Sequence, residues 1–298
     1  MTDQPQASSA FSAWILAIRV PTLTAAVVPV VVGTAVAARS GMAHWLAALA
    51  ALVGGLLIQI GTNLVNDVDD YERGADTAER QGPTRVIQAG LLSPREVRLA
   101  AWLAFAAAAL VGMYLCVRGG WPIMLVGIAA ILSGLAYTGG PWPLGYNGLG
   151  DVFVFIFFGL VAVVATFYVQ AGTVTDAALA AAIPVGALAT AILVVNNVRD
   201  CDTDRAAGKH TLAVRLGQSA GRLEYVALVL LAYAVPAVLW ARGAAVWILL
   251  PWVTVPWAFG LARLMVTCQE GARFNRALRS TARLHAAFGA LFAVGLLA

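Results

Sequence analysis

Between Trp14 and Leu297 the chain is cut into nine apolar runs: Trp14–Ala38, Trp45–Leu64, Leu99–Val117, Trp121–Tyr137, Val152–Val169, Ala177–Val195, Leu223–Trp240, Ala244–Ala262 and Thr281–Leu297. Each approaches the roughly 20 residues that an α-helix needs to cross a bilayer. Only 11% of the residues are charged, against about 25% in a soluble globular domain. The expectation is an all-α integral membrane protein, with residues 1–298 as one transmembrane domain and residues 1–13 as a short tail. MTDQPQASSAFSA has no basic n-region, and the run after it carries Arg19 and Pro21, so it reads as a retained first span rather than a signal peptide. Trp14, Trp45, Trp121, Trp240 and Trp247 fall near run ends, where an interfacial aromatic belt places them.

The 19 basic residues are distributed unevenly. Arg73, Arg80, Arg85, Arg95 and Arg98 follow the second run. Arg199, Arg205, Lys209, Arg215 and Arg222 follow the sixth. Arg263, Arg273, Arg276, Arg279 and Arg283 follow the eighth, while only Arg39, Arg118 and Arg242 fall in the odd-numbered loops. The positive-inside rule then puts the N-terminus and the even-numbered loops in the cytoplasm and the C-terminus outside. Cys116, Cys201 and Cys268 are scattered and no HExxH is present, which gives no disulfide framework and no zinc site. The basic residues form no nucleic-acid footprint.

Two apolar runs end in carboxylates. NLVNDVDDYERGAD, with Glu79 three residues beyond it, and NNVRDCDTDRAAGKHTL bring together Asp67, Asp69, Asp70, Glu72, Asp76, Glu79, Asp200, Asp202 and Asp204, nine of the chain's fifteen acidic residues. Four runs separate the two clusters, so both lie on one side of the membrane. Asn66 and Asp70 are four apart, as are Asn196, Asp200 and Asp204, and i,i+4 positions share a helix face. Stacked carboxylates repel, and a divalent cation removes the repulsion. Oxygen donors without His or Cys favour magnesium or calcium. Asn66, Asp67, Asp70, Asn196, Asp200 and Asp204 are therefore the candidate ligands. Arg85 and Gln88 in GPTRVIQAG, and Lys209 and Arg215 in DRAAGKHTLAVRLG, are candidate diphosphate contacts; Lys209 is the sole lysine. Solvated interfacial charge would explain one such cluster more readily than two on one face.

Together with YTGGPWPLGYNGLGD and RVPTLTAAVVPVVVGTA, these stretches resemble the UbiA superfamily of intramembrane prenyltransferases, and within it the branch that prenylates 1,4-dihydroxy-2-naphthoate. The common first motif of the superfamily, Asn-x-x-x-Asp-x-x-x-Asp, is met by Asn66 and Asp70, but Gly74 holds the third position. Thr24 stands where relatives often have Pro, and Pro141 where many have Lys. The resemblance implies nine transmembrane helices around a central cavity in a cell inner (cytoplasmic) membrane, with the active site facing the cytoplasm. It implies transfer of a polyprenyl group from an all-trans polyprenyl diphosphate to 1,4-dihydroxy-2-naphthoate, with loss of carbon dioxide and diphosphate, to give demethylmenaquinone. Two magnesium ions would be held between the clusters, with Asp70, Asp200 and Lys209 central to catalysis. Arg85, Lys209 and Arg215 would face the diphosphate. Tyr137, Tyr146 and Phe153 would shield an allylic cation, and Arg19 would orient the acceptor carboxylate.

Another aromatic acceptor, such as 4-hydroxybenzoate or homogentisate, is the neighbouring alternative. A CDP-alcohol phosphotransferase lacks support because D-x-x-D-G is absent: Tyr71 follows Asp70. A cation or metabolite transporter would carry its charges near mid-membrane rather than at helix ends.

Overall fold

The computed structural model describes residues 10–75, 82–268 and 271–298, the side chains of 271 and 272 excepted. Residues 1–9 of the expected tail, Asp76, Glu79 and Arg80 lie outside the described residues. The helices are α1 (Ala10–Ile18), α2 (Thr24–Arg39), α3 (Trp45–Glu72), α4 (Pro94–Ala136), α5 (Gly150–Ala171), α6 (Asp176–Arg199), α7 (Cys201–Ala206), α8 (Leu212–Leu216), α9 (Gln218–Ala241), α10 (Val246–Thr267) and α11 (Gly271–Leu297).

Among the described residues, eight helices are long and apolar enough to cross a membrane, where nine were expected. The difference lies in α4, which absorbs the third and fourth runs. At Gly120 its backbone leaves the helical region, with φ 69° and ψ −162°, a conformation essentially reserved for glycine. The chain reverses there. Phe105 packs against Gly61 of α3 and Gly134 packs against its neighbour Thr62. In a straight helix residues 105 and 134 would stand about 44 Å apart, so 94–119 and 121–136 run antiparallel along the same stretch of α3. Gly120→Val is expected to destabilise the hairpin by roughly 1–3 kcal/mol, read as a lower melting temperature in detergent; an unchanged melting temperature would contradict the reversal.

The first run is also corrected. It is not one helix from Trp14 to Ala38 but α1, a left-handed residue and α2. Arg19 has φ 57°, the only positive value at a described non-glycine residue. Pro21 cannot donate to the preceding turn. The carbonyls freed there are met by side chains: Asn63 Nδ2 donates to the Ile18 carbonyl at 2.8 Å and the Thr22 hydroxyl to that of Arg19 at 2.8 Å. The break turns Arg19 towards the first acidic cluster.

The most buried span is α6. Its sequence, DAALAAAIPVGALATAILVVNNVR, is apolar all round, as a helix surrounded by neighbours must be. Small residues let partners approach: a Cβ on Gly159 of α5 would lie 2.6 Å from the Gly186 Cα. Val195 and Val198 of α6 share a core with Tyr225 of α9 and with Leu284 and Phe288 of α11. The helix end that carries Asp200 is thereby fixed from several sides.

Candidate active site

Helix α3 runs 28 residues, to Glu72, so Asn66, Asp67 and Asp70 belong to its last turns rather than to a loop. All three are buried. Their counter-ion comes from the segment just before α4. Val86 and Ile87 anchor in a core with Leu64, Val65, Val68 and Val97, which seats the buried Arg85 beside the helix. Arg85 Nη1 lies 3.1 Å from Asp67 Oδ1 and Nη2 2.8 Å from Asp70 Oδ2. Arg19 Nη2 is 3.5 Å from Asp67 Oδ1. The Thr138 hydroxyl donates to Asn66 Oδ1 at 2.7 Å, just beyond the end of α4.

The second cluster spans the junction of α6 and α7. Asp200 N donates to the Asn196 carbonyl (2.9 Å) and Asp204 N to that of Asp200 (2.7 Å), which carries the i,i+4 ladder across the helix break. Arg199 organises the cluster. Its side chain is fully buried; Nε and Nη2 donate to the two Asp200 carboxylate oxygens at 2.8 and 2.6 Å. Nη2 also reaches Asn196 Oδ1 at 2.6 Å, and Nη1 reaches Asn275 Oδ1 of α11 at 2.8 Å. This is the forked geometry that suits guanidinium and not ammonium.

The clusters face one another. Lys209 Nζ lies 3.2 Å from Asp70 Oδ1 and 3.8 Å from Asp204 Oδ1. The loop that carries it turns at Gly208 (φ 73°) and is tied by His210 N donating to the Tyr146 carbonyl at 2.7 Å. The Tyr146 hydroxyl donates to Asp70 Oδ1 at 2.8 Å. Its ring carries Lys209 Nζ at 4.6 Å from the centroid and the Arg73 guanidinium at 5.5 Å.

Asn66, Asp70, Asn196, Asp200 and Asp204 line one polar cavity of about 90 Å³, together with Arg85 and Lys209. No three acidic, histidine or cysteine side chains among the described residues form a ready-made cage. One carboxylate from α3, two from α6–α7 and two asparagine oxygens instead make an open, hard-oxygen set. Magnesium takes such sets with water and phosphate oxygens completing its shell.

A second, apolar cavity of about 1010 Å³ opens from the first; both are lined by Arg19, Asn66, Arg85, Tyr137, Leu193 and Asn196. Phe153, stacked on Phe157 at 5.9 Å, lines its wall. A polyanion and a long hydrocarbon chain on the same molecule would both be accommodated.

Most expected site residues thus converge. Asp67 lines neither cavity and serves as counter-ion to Arg85 and Arg19. Gln88 is exposed and also lines neither. Arg215 is exposed; its Nε donates to the His210 carbonyl at 3.0 Å, which braces the Lys209 loop. Arg199, Thr138 and Asn275 were not anticipated. Arg199 could have been found from its place three after Asn196 and one before Asp200; nothing local marks Asn275.

The UbiA prenyltransferase family model matches residues 26–292. A 1,4-dihydroxy-2-naphthoate octaprenyltransferase of Mycobacterium tuberculosis is 39% identical over 273 residues, 92% of each chain. One from Bacillus subtilis is 33% identical, covering 93% of this chain and 89% of that one. A UbiA homologue from Archaeoglobus fulgidus, solved with GPP and Mg2+, superposes with a TM-score of 0.62 at 16% identity, over 95% of this chain and all of the other. With eight membrane-length helices among the described residues and opposed acidic clusters at one end, and matched over nearly its whole length, the chain belongs to the UbiA prenyltransferase family.

Proposed function

We propose that this single transmembrane domain transfers the polyprenyl group of an all-trans polyprenyl diphosphate to 1,4-dihydroxy-2-naphthoate in menaquinone biosynthesis. The observation that carries the reading is the joined pair of cavities, polar at the acidic clusters and apolar beyond them, in a chain 39% identical to a protein bearing that activity's name. The allylic carbon–oxygen bond breaks with its electron pair leaving on diphosphate. A carbon–carbon bond forms to the ring, and the carboxyl group departs as carbon dioxide.

Asn66, Asp70, Asn196, Asp200 and Asp204 would hold magnesium, two ions by the family pattern, and bound metal would neutralise charge developing on the leaving group. Lys209 and Arg85 add fixed positive charge at the same pocket. Tyr137, which lines both cavities, and Phe153 on the apolar side would face an allylic cation. Tyr146, whose ring already faces two cations, steadies Asp70 and Lys209 instead. Arg19 lines both cavities and is suited to the acceptor carboxylate. The basic residues of the even-numbered loops support an orientation with the acidic clusters and the N-terminus on the cytoplasmic side of a cell inner membrane and the C-terminus outside.

Purified protein with magnesium and octaprenyl diphosphate is expected to prenylate 1,4-dihydroxy-2-naphthoate and not 4-hydroxybenzoate, with product lost on adding EDTA. Product from 4-hydroxybenzoate alone would overturn the acceptor. Lys209→Ala is expected to raise KM for the prenyl diphosphate about tenfold or more while leaving the acceptor KM little changed; equal effects on both would remove the lysine from the diphosphate site.

A further inference from the structure

We propose that the far part of the donor's tail leaves the protein between the two arms of α4, through a gap framed by Gly112 and Gly127, and that these two glycines set the tolerance for long donors. The inference rests on the prenyl-transfer reading above and adds where the chain goes.

The register of the hairpin locates the gap. Residues 105 and 134 flank the same turn of α3, against Gly61 and Thr62. Seven residues onward from 105 is Gly112; seven back from 134 is Gly127. The two glycines therefore stand at one level on facing arms. A Cβ added at either meets no atom within 4 Å, so the wall is thin from both sides at the same height. Val111 confirms the level: it lies 3.8 Å from a Cβ built on Gly54, seven residues before Gly61.

Both glycines line the apolar cavity. So do Met113, Met124 and Ile128, which are 60%, 47% and 49% exposed on the lipid-facing surface. Residues that bound a cavity and also face lipid mark its mouth. The depth suits the role. Gly54 is twelve residues from Asn66 on α3, so the gap lies about 18 Å below the diphosphate pocket. The first isoprene units are housed inside, and an octaprenyl chain continues into hydrocarbon at no cost in burial, since lipid tails are as apolar as the cavity wall. The cavity also reaches lipid beside α1, where Ile15, Leu16 and Val20 are exposed; the test must separate the two mouths.

Turnover with 1,4-dihydroxy-2-naphthoate would be followed along a donor series from geranyl to octaprenyl diphosphate. Gly112→Trp, Gly127→Trp and their combination are compared with Leu16→Trp at the other mouth. The expected result is a fall in octaprenyl kcat/KM of roughly tenfold or more in the combined variant, from overpacking of the path, with geranyl turnover retained. Retained geranyl turnover also reports a folded enzyme, and Gly112→Leu with Gly127→Leu repeats the test with a smaller plug. Equal losses along the series, no loss, or a long-donor defect confined to Leu16→Trp would each overturn the proposal. A wild-type protein that turns over no donor would instead remove the prenyl-transfer reading.

Discussion

Asp70→Ala is expected to lower turnover by about a thousandfold, the scale on which one preorganised charged group at a developing anion acts. Asp70 is where the site's parts meet. One carboxylate oxygen is 2.8 Å from Arg85; the other takes the Tyr146 hydroxyl at 2.8 Å and Lys209 at 3.2 Å. Alanine removes the oxygens proposed to face the metal and releases Arg85, Tyr146 and Lys209 at once. Asp70→Asn keeps the shape and one acceptor oxygen but not the charge, so it separates positioning from electrostatics. It is expected to recover membrane expression and little activity. The check is prenyl transfer at saturating donor across a magnesium titration, with protein quantified in the membrane. Wild-type turnover from Asp70→Ala would dismantle the paired-cluster site.

Arg199→Leu is expected to have the largest effect on stability. Leucine would leave Asp200 without its two-point partner and Asn196 and Asn275 without a shared donor. Removing one member of a buried ion pair costs about 3–5 kcal/mol, because the remaining charge stays desolvated. Arg199→Lys restores charge but not the fork, and is expected to recover part of that loss. Melting in detergent, followed by fluorescence of the native tryptophans, reads both variants. A wild-type melting curve for Arg199→Leu would mean that Asp200 is well hydrated without it.

Much of this was legible before any coordinates. Apolar runs of membrane length are a property of composition, and they map to helical segments because lipid leaves the backbone no other partner, although the first is broken at Arg19 and the third and fourth share α4. The Ser93–Glu96 capping box starts α4 at Pro94, five residues before the run expected from Leu99, because a polar first turn lies outside any apolar run. The Asn-x-x-x-Asp ladders were legible because an i,i+4 relation is local, and it survives even across the α6–α7 junction. Arg19 shows what was not. A single left-handed residue inside an apolar run leaves hydropathy unchanged, so the run reads as one span although the backbone breaks.

The charged partners divide in the same way. Arg215 lies close in sequence to the second motif yet faces outward, whereas Arg85, fifteen residues from Asp70, turns in because Val86 and Ile87 are pulled into the core beside it. Sequence nearness ranks candidates poorly when the chain direction between them is set by packing.

The reversal at Gly120 has a consequence for the surrounding bilayer. The returning arm, residues 121–136, holds sixteen residues, about 24 Å of helix, against a hydrocarbon thickness near 30 Å. Its turn sits at the face opposite the acidic clusters, with the exposed Trp121 beside it. A short arm of this kind is met by local thinning of the bilayer, by snorkelling of its flanking residues or by association, each at fractions of a kcal/mol per ångström. Acyl-chain length is therefore expected to act on the enzyme without touching its chemistry, read as turnover compared between vesicles of shorter- and longer-chain lipid.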